Sequence, residues 1–175
     1  MLQDWDPNGG GIPVELLATL FKQVPAFNAY KCEVVPAGVK YSAVLEATGH
    51  RLHVSGGWAV MQMIEGLDRG VDAFMPTGLH RSYVAIYRLY HNGDVEAARA
   101  LHERLLPILC FSNQHLDISI HFFKRLLQEQ GIYPWNESRG PMLPFDATHA
   151  QVALQLIKRA LSIENELKEA GTISG

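Results

Sequence analysis

A lysine and a glutamate two residues apart, Lys31 and Glu33, sit in the run Ala26-Phe-Asn-Ala-Tyr-Lys-Cys-Glu-Val-Val35. The run is short, apolar and β-branched toward its end, with Pro25 before it and Pro36 to Gly38 after it, which predicts a buried strand. Side chains at i and i+2 leave a strand on the same face, so the two charges share one side. An amine on the inner side of a buried strand is costly unless it is paired or gives up its charge. A neutral amine in such a place is the nucleophile that Schiff-base chemistry on a carbonyl requires. The other reading is a strand-end lysine whose amine simply reaches water. Glu33 could steady the ammonium or move a proton. Paired with Lys31 it would favour the charged amine, so its part would be to orient the lysine or to act once an imine exists.

The other chemistry-bearing residues point to less. His50 and His53 could be read as a metal pair, but no third ligand is nearby, and a histidine in strand period is more often structural; no metal is expected. Gly9-Gly-Gly11 precedes a helix and could cradle a phosphate, yet it lacks the lysine and hydroxyl of a P-loop, and a plain strand-to-helix loop accounts for it. Cys32 lies beside Lys31 but on the opposite face, as core packing. Tyr83, Tyr87 and Tyr90 recur at helical spacing as a packing stripe. Arg69 and Arg139 could meet a carboxylate, with surface pairing the plainer reading.

These residues are positioned by an alternation of strands and helices. Residues 1–4 could be a strand end, and Asp6 to Gly11 form a loop. Pro13 suits the first position of a helix that carries Leu16, Leu17, Leu20, Phe21 and Val24 in helical period and ends at Pro25. After the strand at 26–35, a helix over 37–48 stops at Gly49, and a short strand over 51–55 ends in Gly56-Gly57. A helix over 58–68 places Val60, Met61, Ile64 and Leu67 on one face, and a strand over 71–75 is closed by Pro76-Thr-Gly78. From Leu79 only helices follow. One covers 79–91, and the next is capped by Asp94 and runs to about Leu109, with Pro107 bending or ending it. Residues 112–130 form another, with Ile118, Phe122, Leu126 and Leu127 in phase; a loop over 132–145 carries three prolines. Asp146 caps a last helix over 147–170, and the tail 171–175 should fray. Strands alternating with helices mean a parallel sheet. The chain thus divides into βα units over 1–78 and a helical region over 79–175, within one continuous domain.

The 175 residues, 47% hydrophobic, suffice for one globular domain with a real core. A net charge of −3 and no Lys/Arg cluster argue against a nucleic-acid partner. No membrane association is expected, because no run of 18 apolar residues occurs. No signal peptide is expected either, since Met-Leu-Gln-Asp-Trp lacks a basic stretch followed by an apolar one. Only Cys32 and Cys110 are present, both in apolar surroundings, which implies no disulfide framework and a reducing cytoplasm.

Four stretches, taken in order, resemble the C-terminal half of the dihydrodipicolinate synthase / N-acetylneuraminate lyase family. They are Pro25…Tyr30-Lys31-Cys-Glu33; Val54-Ser-Gly-Gly57; Arg69-Gly-Val-Asp-Ala-Phe-Met-Pro-Thr-Gly78; and Gly93-Asp-x-Glu-Ala-Ala-Arg…Pro107 followed by Lys124 and Arg139-x-Pro-Met-Leu-Pro144. Together they span about residues 1–165. The resemblance implies an α/β fold, a partial (β/α)8 TIM barrel made of strands five to eight, followed by C-terminal helices. A closed barrel needs roughly 250 residues, so this chain is too short to complete one.

The resemblance also implies class I aldolase chemistry. Lys31 would form an imine with the C2 carbonyl of pyruvate or a 2-keto-3-deoxy sugar acid, making the chain a lyase or dehydratase that needs no metal or organic cofactor. Ser55, Gly56 and Gly57, with Met75, Pro76 and Thr77, would line the substrate pocket at the C-terminal ends of the strands. The family's usual proton-relay tyrosine falls on Gln3, followed by Asp4, so that phenol is absent. Gln3-Asp4 together with Lys31-x-Glu33 is more similar to the branch that dehydrates 2-keto-3-deoxy sugar acids, and both residues join the expected substrate-binding set. Strands one to four, which in the family carry the hydroxyl-rich loop for the substrate carboxylate, are missing. A start within the fifth strand suggests a fragment or a shortened gene model. The alternative expectation is a catalytically inactive half-barrel that self-associates or complements a missing N-terminal half through open edges and an apolar inner face. A homo-oligomer is expected, with the helices of 79–170 offering a further contact.

Overall fold

The computed structural model describes residues 1–57 and 61–171. Two compact units make up the chain, Met1–Pro76 and Thr77–Gly175. In the first, β1 (Leu2–Asp6), α1 (Val14–Gln23), β2 (Ala29–Val34), α2 (Ala37–Ala47), β3 (His53–Gly56), α3 (Met63–Asp68) and β4 (Ala73–Phe74) alternate. The four strands are parallel and lie side by side in chain order. That order is the one consecutive strands of a (β/α)8 barrel adopt, whereas an open doubly wound sheet reverses direction at a switch point. The fold is therefore α/β and matches part of such a barrel.

Alternation along the strands divides the sheet into two faces. On one, Tyr30, Cys32, Val34 and Val54 are buried against Leu17 of α1 and Tyr41, Val44 and Leu45 of α2. This core is apolar on both sides of the contact, which is what holds α1 and α2 to the sheet. The observed elements are shorter than the periodicity suggests. The run 26–35 yields a strand only from Ala29 to Val34, and the run 71–75 only Ala73–Phe74. The third helix starts at Met63; the expected earlier start at Trp58, and Val60 on its apolar face, lie outside the described residues.

The second unit contains α4 (His80–His91), α5 (Val95–Ser112), α6 (Leu116–Glu129) and α7 (Ala147–Glu169). Asp94 and Asp146 act as N-caps, accepting from the backbone N–H of Ala97 and His149 at 3.3 and 2.8 Å. Pro107 does not end α5, which continues to Ser112. The missing proline N–H lies on an exposed side of the helix, where the carbonyl it leaves free can bond water. The tail expected to fray, from Thr172 on, lies outside the described residues.

Residues 132–145 have no regular structure of their own and are held against α6 by side chains along one stripe of that helix. Asp117 accepts from the Leu143 N–H at 2.8 Å, Lys124 donates to the Glu137 carbonyl, and Gln128 donates to the Pro134 carbonyl at 3.3 Å. Arg125 lies 4.4 Å over the Phe145 ring. Side chains thus satisfy backbone groups that a sheet or helix would otherwise pair.

The first turn of α4 has no cap of its own; Leu79 precedes it in a left-handed conformation, with φ of 52°. Its free N–H groups are met instead by Glu164 of α7, which is 2% exposed and accepts from Arg81 N, Ser82 N and Ser82 Oγ at 3.2, 2.8 and 2.5 Å. A carboxylate there also complements the positive end of the helix. Glu164→Ala would leave three donors unpaired, at an expected cost of about 2–3 kcal/mol. The check is a lowered urea midpoint with an unchanged slope; a midpoint equal to wild type would contradict it.

Candidate functional site

Parallel pairing aligns residues on neighbouring strands so that their side chains leave the same face. Gln3 pairs with Lys31, Lys31 with Ser55 and Ser55 with Ala73; one rung further on, Trp5 pairs with Glu33. The face opposite the helix-packed core therefore carries Gln3, Trp5, Lys31, Glu33 and Ser55.

At its centre the Lys31 ammonium nitrogen lies 3.3 Å from Oε1 of Glu33, with side-chain exposures of 17% and 10%. The other oxygen of Glu33, Oε2, accepts a hydrogen bond from the side-chain amide of Gln3. Gly57, just past β3, closes the arrangement. A Cβ there would lie 2.1 Å from Glu33 Oε1 and 2.7 Å from Lys31 Cε, so only glycine leaves room for the pair. Ser55 is fully buried beside Lys31, and its hydroxyl is 3.5 Å from the Tyr30 carbonyl, the long limit of a hydrogen bond.

The expected site residues thus separate. Gln3, Lys31, Glu33, Ser55 and Gly57 come together. Asp4 does not: it lies on the core face, 5% exposed, accepting from the Tyr30 hydroxyl at 2.7 Å and the Ile12 N–H at 2.9 Å. Gly56 also faces the core side, where a Cβ would meet Tyr41 Oη at 2.5 Å and Phe74 Cδ1 at 3.1 Å. Met75 is exposed, and its N–H donates to the Gly56 carbonyl at 2.9 Å. Pro76 ends the first unit. Thr77 opens the second, where it lines a hollow of about 220 Å³ with Ser119, Phe123, Lys124 and Tyr133.

Trp5 was not among the expected residues. The signal for it was its position two residues after Gln3, which puts both on one strand face once β1 is known to be a strand. Trp5 is 43% exposed, an indole on the same rung as Glu33.

The remaining candidates resolve into structure. In the Gly9–Gly11 loop the Gly11 N–H is engaged by a carboxylate, Asp6, which accepts from it at 3.2 Å and from the preceding Asn8 N–H at 3.3 Å. Lys40 reaches over to donate to the Gly10 carbonyl at 2.6 Å and to the Ile12 carbonyl. A loop whose donors face carboxylates is a poor cradle for phosphate. Gly11 has φ of 67° and sits against Asp4, where a Cβ would lie 2.4 Å from Oδ2, so glycine is required on both counts. His53 lies 3.9 Å from Asp72, and among the described residues no three His, Cys, Asp or Glu side chains gather as a metal site would need. Arg69 bridges to Glu65 at 2.8 Å and donates to Ser42 at 2.8 Å, while Arg139 is exposed. Cys32 is fully buried and Cys110 exposed, both free. No described helix is long and apolar enough to cross a membrane.

Two phenols lie near the site on its core side. Burial pushes the Tyr30 hydroxyl far above its ordinary range, and its bond to Asp4 adds to this; burial likewise raises Tyr41. Burial also raises the Cys32 thiol. All three lie on the core side, whereas Lys31 and Glu33 face the open one.

No protein-family model matches the sequence, and no curated protein does. Solved structures do share the fold. The 4-hydroxy-tetrahydrodipicolinate synthase of Methylacidiphilum fumariolicum is 20% identical, over 91% of this chain and 52% of its own, with a TM-score of 0.74. The dihydrodipicolinate synthase of Thermotoga maritima is 18% identical over 86% and 51%, with a TM-score of 0.74. That of Oceanobacillus iheyensis is 14% identical over 91% and 53%, with a TM-score of 0.75. The chain spans about half the length of each, and its fold is that of part of a dihydrodipicolinate synthase.

Gly57→Ala should force Lys31 and Glu33 apart and lower stability by about 1–3 kcal/mol. Gly10→Ala, where a Cβ meets nothing within 4 Å, should stay within about 0.5 kcal/mol of wild type. Denaturation midpoints of the two variants measured side by side decide it; equal midpoints would mean that Gly57 is not confined by the pair.

Proposed function

We propose that this chain belongs to a Schiff-base lyase or dehydratase acting on pyruvate or a 2-keto-3-deoxy sugar acid, with Lys31 as the nucleophile. The observation that carries the reading is the Lys31–Glu33 pair, 3.3 Å apart and mostly withdrawn from water on the open face of a parallel sheet. Catalytic groups of barrels of this kind sit at the C-terminal ends of the strands; Glu33 lies one residue from the C-terminal end of β2, and Lys31 stands at the middle of the strand. The dihydrodipicolinate synthases among the structural neighbours agree with such chemistry.

In this mechanism the Lys31 amine attacks the C2 carbonyl, and the carbonyl oxygen departs as water, leaving a protonated imine. The imine draws electrons from C3, which loses a proton to give an enamine. In a 3-deoxy sugar acid the enamine then expels the C4 hydroxyl, which leaves as water after taking up a proton. Glu33 is the base beside the amine, next to the imine carbon C2 and its neighbour C3, and serves as the proton acceptor and donor at C3. While its carboxylate is engaged with the Lys31 nitrogen it is not free to take a proton from substrate, so its proton-transfer work comes after the imine has formed. Ser55 and Trp5 flank the pair as substrate contacts, and no metal or organic cofactor takes part. Two free thiols fit a reducing cytoplasm.

A second reading rests on the sheet itself. Among the described residues β1 and β4 each have a neighbour on one side only, and Gln3 and Trp5 are exposed. Open edges and faces of this kind favour pairing with a second copy or with a separate half of a barrel. Turnover would then require that partner.

Sodium borohydride with pyruvate, followed by peptide mass mapping, tests the first reading. One reduced pyruvate per chain at Lys31 is expected, absent in Lys31→Met. An unmodified Lys31 under conditions that label a known Schiff-base enzyme would sink it.

A further inference from the structure

We propose that Gln3 is a positioning residue for Lys31, acting through Glu33; this rests on the reading of Lys31 as the amine of the site. The register sets Gln3 beside Lys31 on the neighbouring strand, on the same face. A carboxylate can only accept hydrogen bonds, and the two oxygens of Glu33 have different partners. Oε2 takes the Gln3 amide, and Oε1 faces the Lys31 nitrogen at 3.3 Å. With one oxygen tethered from β1, the carboxylate cannot turn from the amine without breaking the hydrogen bond donated by the Gln3 amide. Glu33 is 8% exposed, so breaking it would leave an oxygen short of a donor where little water reaches.

Gly57 closes the side of Oε1, where a Cβ would lie at 2.1 Å. The carboxylate is therefore confined from β1 by a hydrogen bond and from the end of β3 by backbone, while Lys31 and Glu33 themselves stand on β2. A primary amide neither gains nor gives up a charge at neutral pH. Gln3 consequently orients and does not relay; proton movement is left to the group it holds. The device turns a flexible glutamate into one with a single useful direction, toward the amine and toward any carbon bonded to that amine.

A double-mutant cycle on the full chain reads this coupling without requiring turnover. The probe is reductive methylation with formaldehyde and cyanoborohydride, with uptake at Lys31 measured by peptide mass against exposed Lys22 as internal reference. An amine engaged by a carboxylate held in place must break that contact before it reacts, so Gln3→Leu and Glu33→Gln should each raise Lys31 labelling roughly threefold or more. In the Glu33→Gln background, Gln3→Leu should add nothing. Unchanged labelling in Gln3→Leu, or the same factor in both backgrounds, would overturn the proposal. Circular dichroism checks each fold. Should a variant fail to fold, the wild-type Gln3 amide decides instead: its two Nε2 protons should resonate apart, one shifted downfield, and a free-amide pair would overturn it. Absence of a pyruvate adduct with the coupling intact would remove the imine reading and leave the positioning role standing.

Discussion

The half-buried pairing of Lys31 with Glu33 is the constraint around which the first unit is arranged. Withdrawing two charges from water costs more than their attraction returns unless other groups complete their hydrogen bonding. Replacing such a pair by apolar side chains often stabilises a protein, so its presence argues for a use other than stability. Here the support comes from neighbouring strands. β1 supplies the Gln3 amide, and the turn after β3 supplies the space that Gly57 leaves open. Three consecutive strands are thereby committed to one pair of side chains.

The sheet divides its labour by parity. Odd-numbered residues of β1 and β2 face the open side and carry polar chemistry; even-numbered ones face α1 and α2 and carry stability. Asp4 shows the division well. It is a carboxyl group as buried as that of Glu33, yet it serves the fold, joining the Tyr30 hydroxyl to the start of the segment leading into α1. Asp6 and Lys40 complete that loop by engaging its backbone donors and acceptors. These bonds tie the loop directly after β1 to the C-terminal end of that strand.

The second unit solves a different problem by similar means. Four helices must meet their terminal donors and one long irregular segment must meet its backbone groups. Glu164 caps α4 from α7, and a stripe on α6 laces down residues 132–145. In both units, side chains distant in sequence satisfy backbone groups that the local sequence leaves open.

Much of this was legible in the residues alone. Hydrophobic period and glycine or proline punctuation give the alternation of elements, the caps at Asp94 and Asp146, and the shared face of Lys31 and Glu33, because these depend on spacing within one strand or helix. The same parity sends Cys32 to the core. What spacing could not give was the partition of neighbours in β1. Gln3 and Asp4 were grouped together, and only the pairing of β1 with β2 shows that one joins Lys31 and the other leaves it. Gly56 and Gly57 were likewise one motif until the structure set them against opposite faces. Local rules also left open whether Pro107 bends α5 or ends it, and the helix continues because the orphaned carbonyl meets water. Periodicity states which side chains of one element share a face. Which elements lie beside one another, and at what register, depends on contacts between residues far apart in the chain, and those exist only once it has folded.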